Sequence, residues 1–209
     1  MTLYVALTAD VIASRELSAT RRAQLQDTLR RLLPALNSRW AGALAARFAL
    51  TMGDELQCLL TTPGAIWEVS HGIRQAFNSV DWIIACGRGT LSTPLAPGIA
   101  APELDGPCFH AARAALERGK AERLILALGG FDDPRLDGVS RYYAALYWGW
   151  TRRQRLAANV WRAAHVGALV GEQGSRPPHP SATSHLRRRM AWPLVESGDR
   201  MFQTLLEAS

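Results

Sequence analysis

The chain has 209 residues, 48% of them hydrophobic, with seven Trp and a formal net charge of +6. That length bounds it to one large domain or two small ones, and that composition excludes a disordered protein. No apolar run reaches the ~18–20 residues that span a bilayer, the N-terminus lacks a basic leader, and Cys58, Cys86 and Cys108 form neither a CxxC pair nor a disulfide framework, so a cytoplasmic protein with no membrane partner is expected.

The charge is unevenly placed. Residues 1–133 hold 13 bases and 13 acids, while residues 134–209 hold 11 bases and 5 acids. The whole excess lies in the last part, which suggests a second unit facing a polyanion.

Residues 3–10, LYVALTAD, are a continuous apolar run closed by Asp10. This is the pattern of a strand buried on both faces, with an acid at its C-terminal end. Ser18 is the expected N-cap of a helix whose Leu25, Leu29, Leu32 and Leu33 follow helical spacing, with Pro34 and Asn37-Ser38 marking its end. Residues 48–60, FALTMGDELQCLL, read as strand, tight turn, strand. Gly53 supplies the positive φ such a turn needs. Asp54 and Glu55 are poor strand residues. They are either an ordinary exposed polar turn or oxygen ligands for a hard divalent cation.

An amphipathic helix is predicted over 65–77, with Ile66, Val69, Ile73 and Phe77 on one side. Residues 82–91 read as a strand interrupted by Gly87 and Gly89, which either let a ligand approach the backbone or mark a bulge. A loop over 93–104, a helix over 109–118 and a strand over 123–128 follow. Gly129-Gly130 opens a polar loop over 131–138, which divides the chain into domains 1–133 and 134–209.

The order strand, helix, hairpin, helix, strand predicts an α+β, ferredoxin-like βαββαβ core, extended by one further helix and strand. In such a core the first strand and the hairpin are central neighbours, which brings Asp10 towards Asp54. Two carboxylates converging from different segments repel unless a cation joins them. The candidate ligands for a divalent cation are therefore Asp10, Asp54 and Glu55.

These residues carry a resemblance. Asp10 ending the first strand, Gly53-Asp54-Glu55 on the hairpin, and Gly87-Arg88-Gly89 followed by residues 109–113 resemble the palm domain of class III nucleotide cyclases and GGDEF proteins. ADVIASR, GDELQCLL, the Gly-x-Gly strand, DGPCFHAARAAL and WTRRQ together resemble the SatD family, over most of the chain. The resemblance implies a cytosolic protein that binds a nucleoside triphosphate through metals, Mg²⁺ or Mn²⁺, with Asp10 and Asp54 as the candidate catalytic pair. Its candidate nucleotide contacts are Ser14, Arg15, Gly53, Arg88 and Arg113. Two positions depart from the cyclase pattern. Met52 stands where the GGDEF motif has its first Gly, and Phe109 stands where cyclases carry an Asn four residues before the helix Arg. Metal and nucleotide binding carry over better than cyclase chemistry does.

In residues 134–209, a helix over 139–149 is rich in aromatics, which are expected to pack against the first domain. Thr151 caps a second helix with a Leu156, Val160, Trp161 core stripe. A short helix over 166–172, a turn over 174–180 and a helix over 181–195 complete a small all-α, helix-turn-helix-like domain. In that reading Ser181, Thr183, Ser184, His185, Arg187 and Arg188 face DNA. The competing reading is a solvated basic face. His165, His179 and His185 lack partners at zinc-ligand spacing.

The function these features predict is a cytosolic regulator that binds a nucleotide with a divalent cation and binds DNA through its basic helices. A homodimer follows only by analogy. The alternatives are a metal-dependent cyclase or nucleotidyltransferase acting at Asp10 and Asp54, and a non-catalytic scaffold in which both acids are structural.

Overall fold

A five-stranded mixed sheet, in the order β2-β3-β1-β4-β5, carries helices on both faces. The computed structural model describes residues 1–51, 53–166 and 180–209. The strands are β1 (Tyr4–Val11), β2 (Leu44–Leu50), β3 (Leu56–Leu60), β4 (Trp82–Gly89) and β5 (Leu126–Gly129). The helices are α1 (Ala19–Arg39), α2 (Ala65–Ala76), α3 (Pro107–Glu122), α4 (Pro134–Gly149), α5 (Arg152–Val166), α6 (Pro180–Arg189) and α7 (Trp192–Glu207). The fold class is α+β. The expected helix over 166–172 and turn over 174–180 fall largely outside the described residues, as do His179 and the side chains of His165 and Ser181.

β1 is the central strand, antiparallel to β3 on one side and β4 on the other. Its continuous apolar run is buried on both faces. Val5, Leu7, Ala9 and Val11 pack with Leu25, Leu29 and Leu36 of α1 and Ile66, Val69 and Ile73 of α2. Ala6 meets Cys108 and Ala112 of α3 on the opposite face, as strand alternation requires. β5 joins β4 in parallel, with α3 as the crossover.

Gly87 and Gly89 have a packing role. A Cβ at Gly87 would come within 2.1 Å of the Ala112 nitrogen and 2.2 Å of the Cys108 oxygen. The backbone that approaches β4 closely is that of α3.

Local signals act as expected at several points. Ser18 Oγ accepts from the Arg21 N–H, Thr51 closes the hairpin on Glu55, and Gly53 has φ of 87°. Thr151 caps α5 by accepting from the Gln154 N–H, and the Gln154 side chain accepts in return from the Thr151 N–H. The three cysteines are buried and unpaired.

Three boundaries and one buried face differ from the sequence expectation. α1 runs through Pro34 to Arg39 because its last turn is held from outside. Leu36 is fully buried, and the Asn37 amide pairs with the backbone of Phe48, accepting from its N–H at 2.7 Å. The loop after β5 is short, because Asp133 caps α4 and Pro134 opens it. The helix expected over 181–195 is two helices. Pro193 cannot donate to the Arg189 carbonyl, and Ala191 turns left-handed at φ of 48° to start α7. On α5, Val160 is exposed, and the buried face is instead Ala158, Asn159 and Arg162.

The C-terminal helices share cores with the sheet. Leu136 of α4 and Phe202 and Leu206 of α7 belong to the cluster that holds α1 and α2. Tyr143, Tyr147 and Trp150 are buried beside Ile83 and Ala85 of β4. A buried polar chain links four helices: His71 of α2, Tyr143 of α4, Arg162 of α5 and Asp199 of α7. Arg162 grips Asp199 with two hydrogen bonds, of 2.6 and 2.8 Å. Such a paired, hydrogen-bonded arginine avoids the cost of an isolated buried charge.

Candidate functional site

Two of the sequence-predicted acids, Asp10 and Asp54, border one cleft at the end of β1. In the sheet register Ala9 lies opposite Leu56. Asp10 is thus one residue beyond that pair, and Asp54 two residues beyond it on the neighbouring segment. Both border one cleft of about 820 Å³. Ser14 and Arg15, from the 3₁₀ turn after β1, and Arg113 of α3 border it too. Five of the residues singled out in the sequence therefore surround one space.

The cleft is electrically mixed. Four cations (Arg15, Arg113, Lys120, Arg123) face four carboxylates (Asp10, Glu16, Asp54, Glu117). Lys120 Nζ sits 2.7 Å from Asp10 Oδ2. Arg113 lies 3.5 Å from both Glu55 and Glu117. Arg15 makes no ion pair among the described residues and is exposed. The Oδ2 atom of Asp54 is buried without a hydrogen-bond partner among the described residues. An acceptor in that condition costs free energy unless something donates to it or coordinates it.

Other candidates are placed differently. Glu55 does not border the cleft. Its carboxylate accepts from Thr51 and Gln57 and pairs with Arg113, so it holds the hairpin to α3. Gly53 is exposed and makes the turn, and its carbonyl accepts from Gln26. Arg88 is opposite Val5, whereas Asp10 is opposite Ile83. Five strand residues separate them, ~17 Å, so Arg88 is at the far end of the sheet from the cleft.

Lys120, the only lysine of the chain, and Glu117, Arg123 and Trp148 also border the cleft, and nothing in the sequence placed them there. Arg113, Glu117 and Lys120 stand at i, i+4 and i+7 on α3, which is one helix face. That spacing was available as a signal. Nothing in the sequence placed the face over Asp10.

The metal question can be put to the donors. Among the described residues no group of three or more His, Cys, Asp or Glu is placed to hold an ion. Two carboxylates, one with an unsatisfied buried oxygen, do suit Mg²⁺, which commonly takes one or two carboxylates and fills its shell with water and substrate phosphate. The donor set fits a metal that arrives with a phosphate better than a metal bound alone.

Residues 4–121 match the SatD family model. The chain belongs to the SatD family. The SatD match runs from β1 almost to the end of α3, so it includes Asp10, Asp54, Arg113 and Lys120 and stops before Arg123 and the C-terminal helices. A search of the curated proteins finds no match.

The C-terminal candidates form a second patch, on α6. Ser184, His185 and Arg188 are exposed, and Thr183 is half-buried. Arg187 is used internally. It pairs with Glu196 at 3.0 Å, and its guanidinium lies over the rings of Trp161 and Trp192. Arg135, Arg141, Arg155 and Arg162 are likewise paired with Asp133, Asp137, Asp81 and Asp199. The outward excess thus rests on residues such as Arg153, Arg188 and Arg189, which make no ion pair among the described residues. No described helix is long and apolar enough to cross a membrane.

Proposed function

We propose that the cleft beside β1 binds a nucleotide together with a divalent cation, and that the protein is a regulator rather than a catalyst. The observation that carries this reading is the buried, unpartnered Asp54 oxygen in the same cleft as Asp10. Asp10 and Asp54 would hold the Mg²⁺ or Mn²⁺, whose charge offsets that of the phosphates. Lys120 and Arg15 would bind phosphate oxygens, with Arg113 beside them. Lys120 then exchanges Asp10 for phosphate as the ligand enters. The strand order β2-β3-β1-β4, with two helices on one face, supports a ferredoxin-like palm as the frame.

One observation favours binding over turnover. Phe109 packs partly buried against Ala6 and Ala46 on the sheet. It offers no polar group where the cyclase resemblance calls for one. The enzyme reading, a cyclase or nucleotidyltransferase at Asp10 and Asp54, therefore ranks second. The exposed Ser184, His185 and Arg188 support DNA binding by α6 in a helix-turn-helix-like arrangement, with phosphates neutralised by arginine. We place this regulator in the cytoplasm, with a homodimer as the form that would read a two-fold DNA site.

The test is equilibrium dialysis of the full chain against ATP and GTP, with Mg²⁺ or Mn²⁺, followed by chromatography of the nucleotide. Retained, unaltered nucleotide supports the regulator. Conversion to a cyclic or polymerised product supports the enzyme. No retention of either nucleotide overturns both readings.

A further inference from the structure

A second cleft, of about 440 Å³, opens between the loop before β4 and helix α5. It shares Ile12, Ala13, Glu16, Arg123 and Trp148 with the first. Both volumes fall within the ~300–1,000 Å³ of small-molecule sites. We propose that this second cleft binds a second nucleoside phosphate, so that the ligand is a dinucleotide spanning both clefts. The proposal rests on the nucleotide reading of the first cleft and extends it to the class of ligand.

The charge of the second cleft is that of an anion site. Arg21, Arg123, Arg152 and Arg155 face only Glu16 and Asp81. Asp81 is already neutralised, taking a hydrogen bond from Tyr147 at 2.6 Å and pairing with Arg155 at 3.4 Å. Arg21 and Arg152 are exposed. The Arg21 guanidinium has no partner among the described residues, and Arg152 makes only a 3.5 Å contact with the Ser79 carbonyl. Two exposed guanidiniums lining one cleft, from α1 and α5 and without an ion pair among the described residues, suit a phosphate, which accepts from arginine in paired geometry.

A bare phosphate does not complete the site. Asn159 lines this cleft, is 4% exposed, and has an Oδ1 with no hydrogen-bond partner among the described residues. An amide oxygen needs a donor. A dianionic phosphate can satisfy only the NH₂ end of such an amide, whereas a ribose hydroxyl or a base edge, which both donate and accept, satisfies either end. Exposed arginines and an unsatisfied amide in one cleft are the needs that a nucleoside phosphate meets.

Arg123 marks the join. It borders both clefts, and its guanidinium lies 5.3 Å from the centre of the Trp148 ring. The indole N–H donates to the Arg123 carbonyl at 2.8 Å, which fixes ring and arginine together. An exposed cation held on the ridge between two clefts is placed for the phosphodiester that links two nucleosides.

The test compares 5′-phosphorylated homodinucleotides with the matching mononucleotides, for all four bases, binding to the full chain with Mg²⁺. At least one dinucleotide is expected to bind ten-fold or more tightly than its mononucleotide. The Arg21→Ala/Arg152→Ala variant should erase that margin and leave mononucleotide affinity within about two-fold. Equal affinity for both lengths, or a margin that survives the variant, overturns the second site and leaves the first standing. If no nucleotide of either length binds the wild-type chain, the reading of the first cleft fails and takes the second with it.

Discussion

Lys120 and Asp10 stand 110 positions apart in the chain and touch at 2.7 Å at the mouth of the cleft. The lysine neutralises one of the two acids that would hold a cation. Replacing it should therefore act in opposite directions on two ligands. In Lys120→Met, Mg²⁺ alone should bind more tightly, because the acids lose a competing charge. Nucleotide with Mg²⁺ should bind at least ten-fold more weakly, in line with the ~1.5–3 kcal/mol of a charged hydrogen bond. Calorimetric titrations of each ligand separate the two effects. A loss of both affinities would show that Lys120 acts only on the fold.

Gly87 tests the contact between the sheet and α3. Gly87→Ala drives a methyl into the backbone of α3, which cannot swing aside as a side chain would. The expected cost is about 3 kcal/mol, the upper end for overpacking. Gly138→Ala is the control. It lies inside α4 with nothing within 4 Å of the new Cβ, and should gain ~0.5–1 kcal/mol from helix propensity. Urea unfolding of the two variants measures both signs.

His71 should make stability fall with acid. It is buried, and its pKa is held well below the ordinary range by burial first and then by Arg162 and Arg74. The folded state therefore binds fewer protons than the unfolded state once pH drops beneath the usual histidine value, about 6.5. Stability is complete above that pH and declines below it, by up to ~1.4 kcal/mol per pH unit from this group. Denaturant midpoints at pH 7.5 and pH 5 should differ for the wild-type chain, and the difference should shrink in His71→Gln.

The basic patch separates two arginines that adjoin in sequence. Arg187→Ala removes a strut to Glu196, Trp161 and Trp192 and should lower the melting temperature. Arg188→Ala/Arg189→Ala changes exposed side chains and should leave the melting temperature within error while weakening salt-dependent retention on DNA. Retention unchanged in the second variant would remove α6 from the DNA reading.

Much of the frame could be read from residue patterns alone. The unbroken apolar run of β1, the Gly53 turn and the Ser18 and Thr151 caps are local signals, and local signals survive folding. The misreadings share another cause. Pro34 looked like a helix end, but Leu36 and Asn37 are held by partners far along the chain. Ala191 takes a left-handed conformation that glycine would have announced. Gly87 and Gly89 suggested a ligand, and their neighbour proved to be α3. At the cleft, acids at the end of a strand and in a turn were conspicuous by type, so Asp10 and Asp54 could be found. Lys120 and Trp148 sit on helices and Arg123 just past the end of α3, and only the packing of α3 and α4 brings them to the site.

The most direct measurement is the coupling between cation and nucleotide. Nucleotide affinity is titrated with and without Mg²⁺ in the wild-type chain and in Asp54→Asn, with melting temperatures to confirm that both are folded. Mg²⁺ is expected to tighten nucleotide binding at least ten-fold in the wild type and by nothing measurable in Asp54→Asn. The same Mg²⁺ dependence in both chains would contradict this expectation.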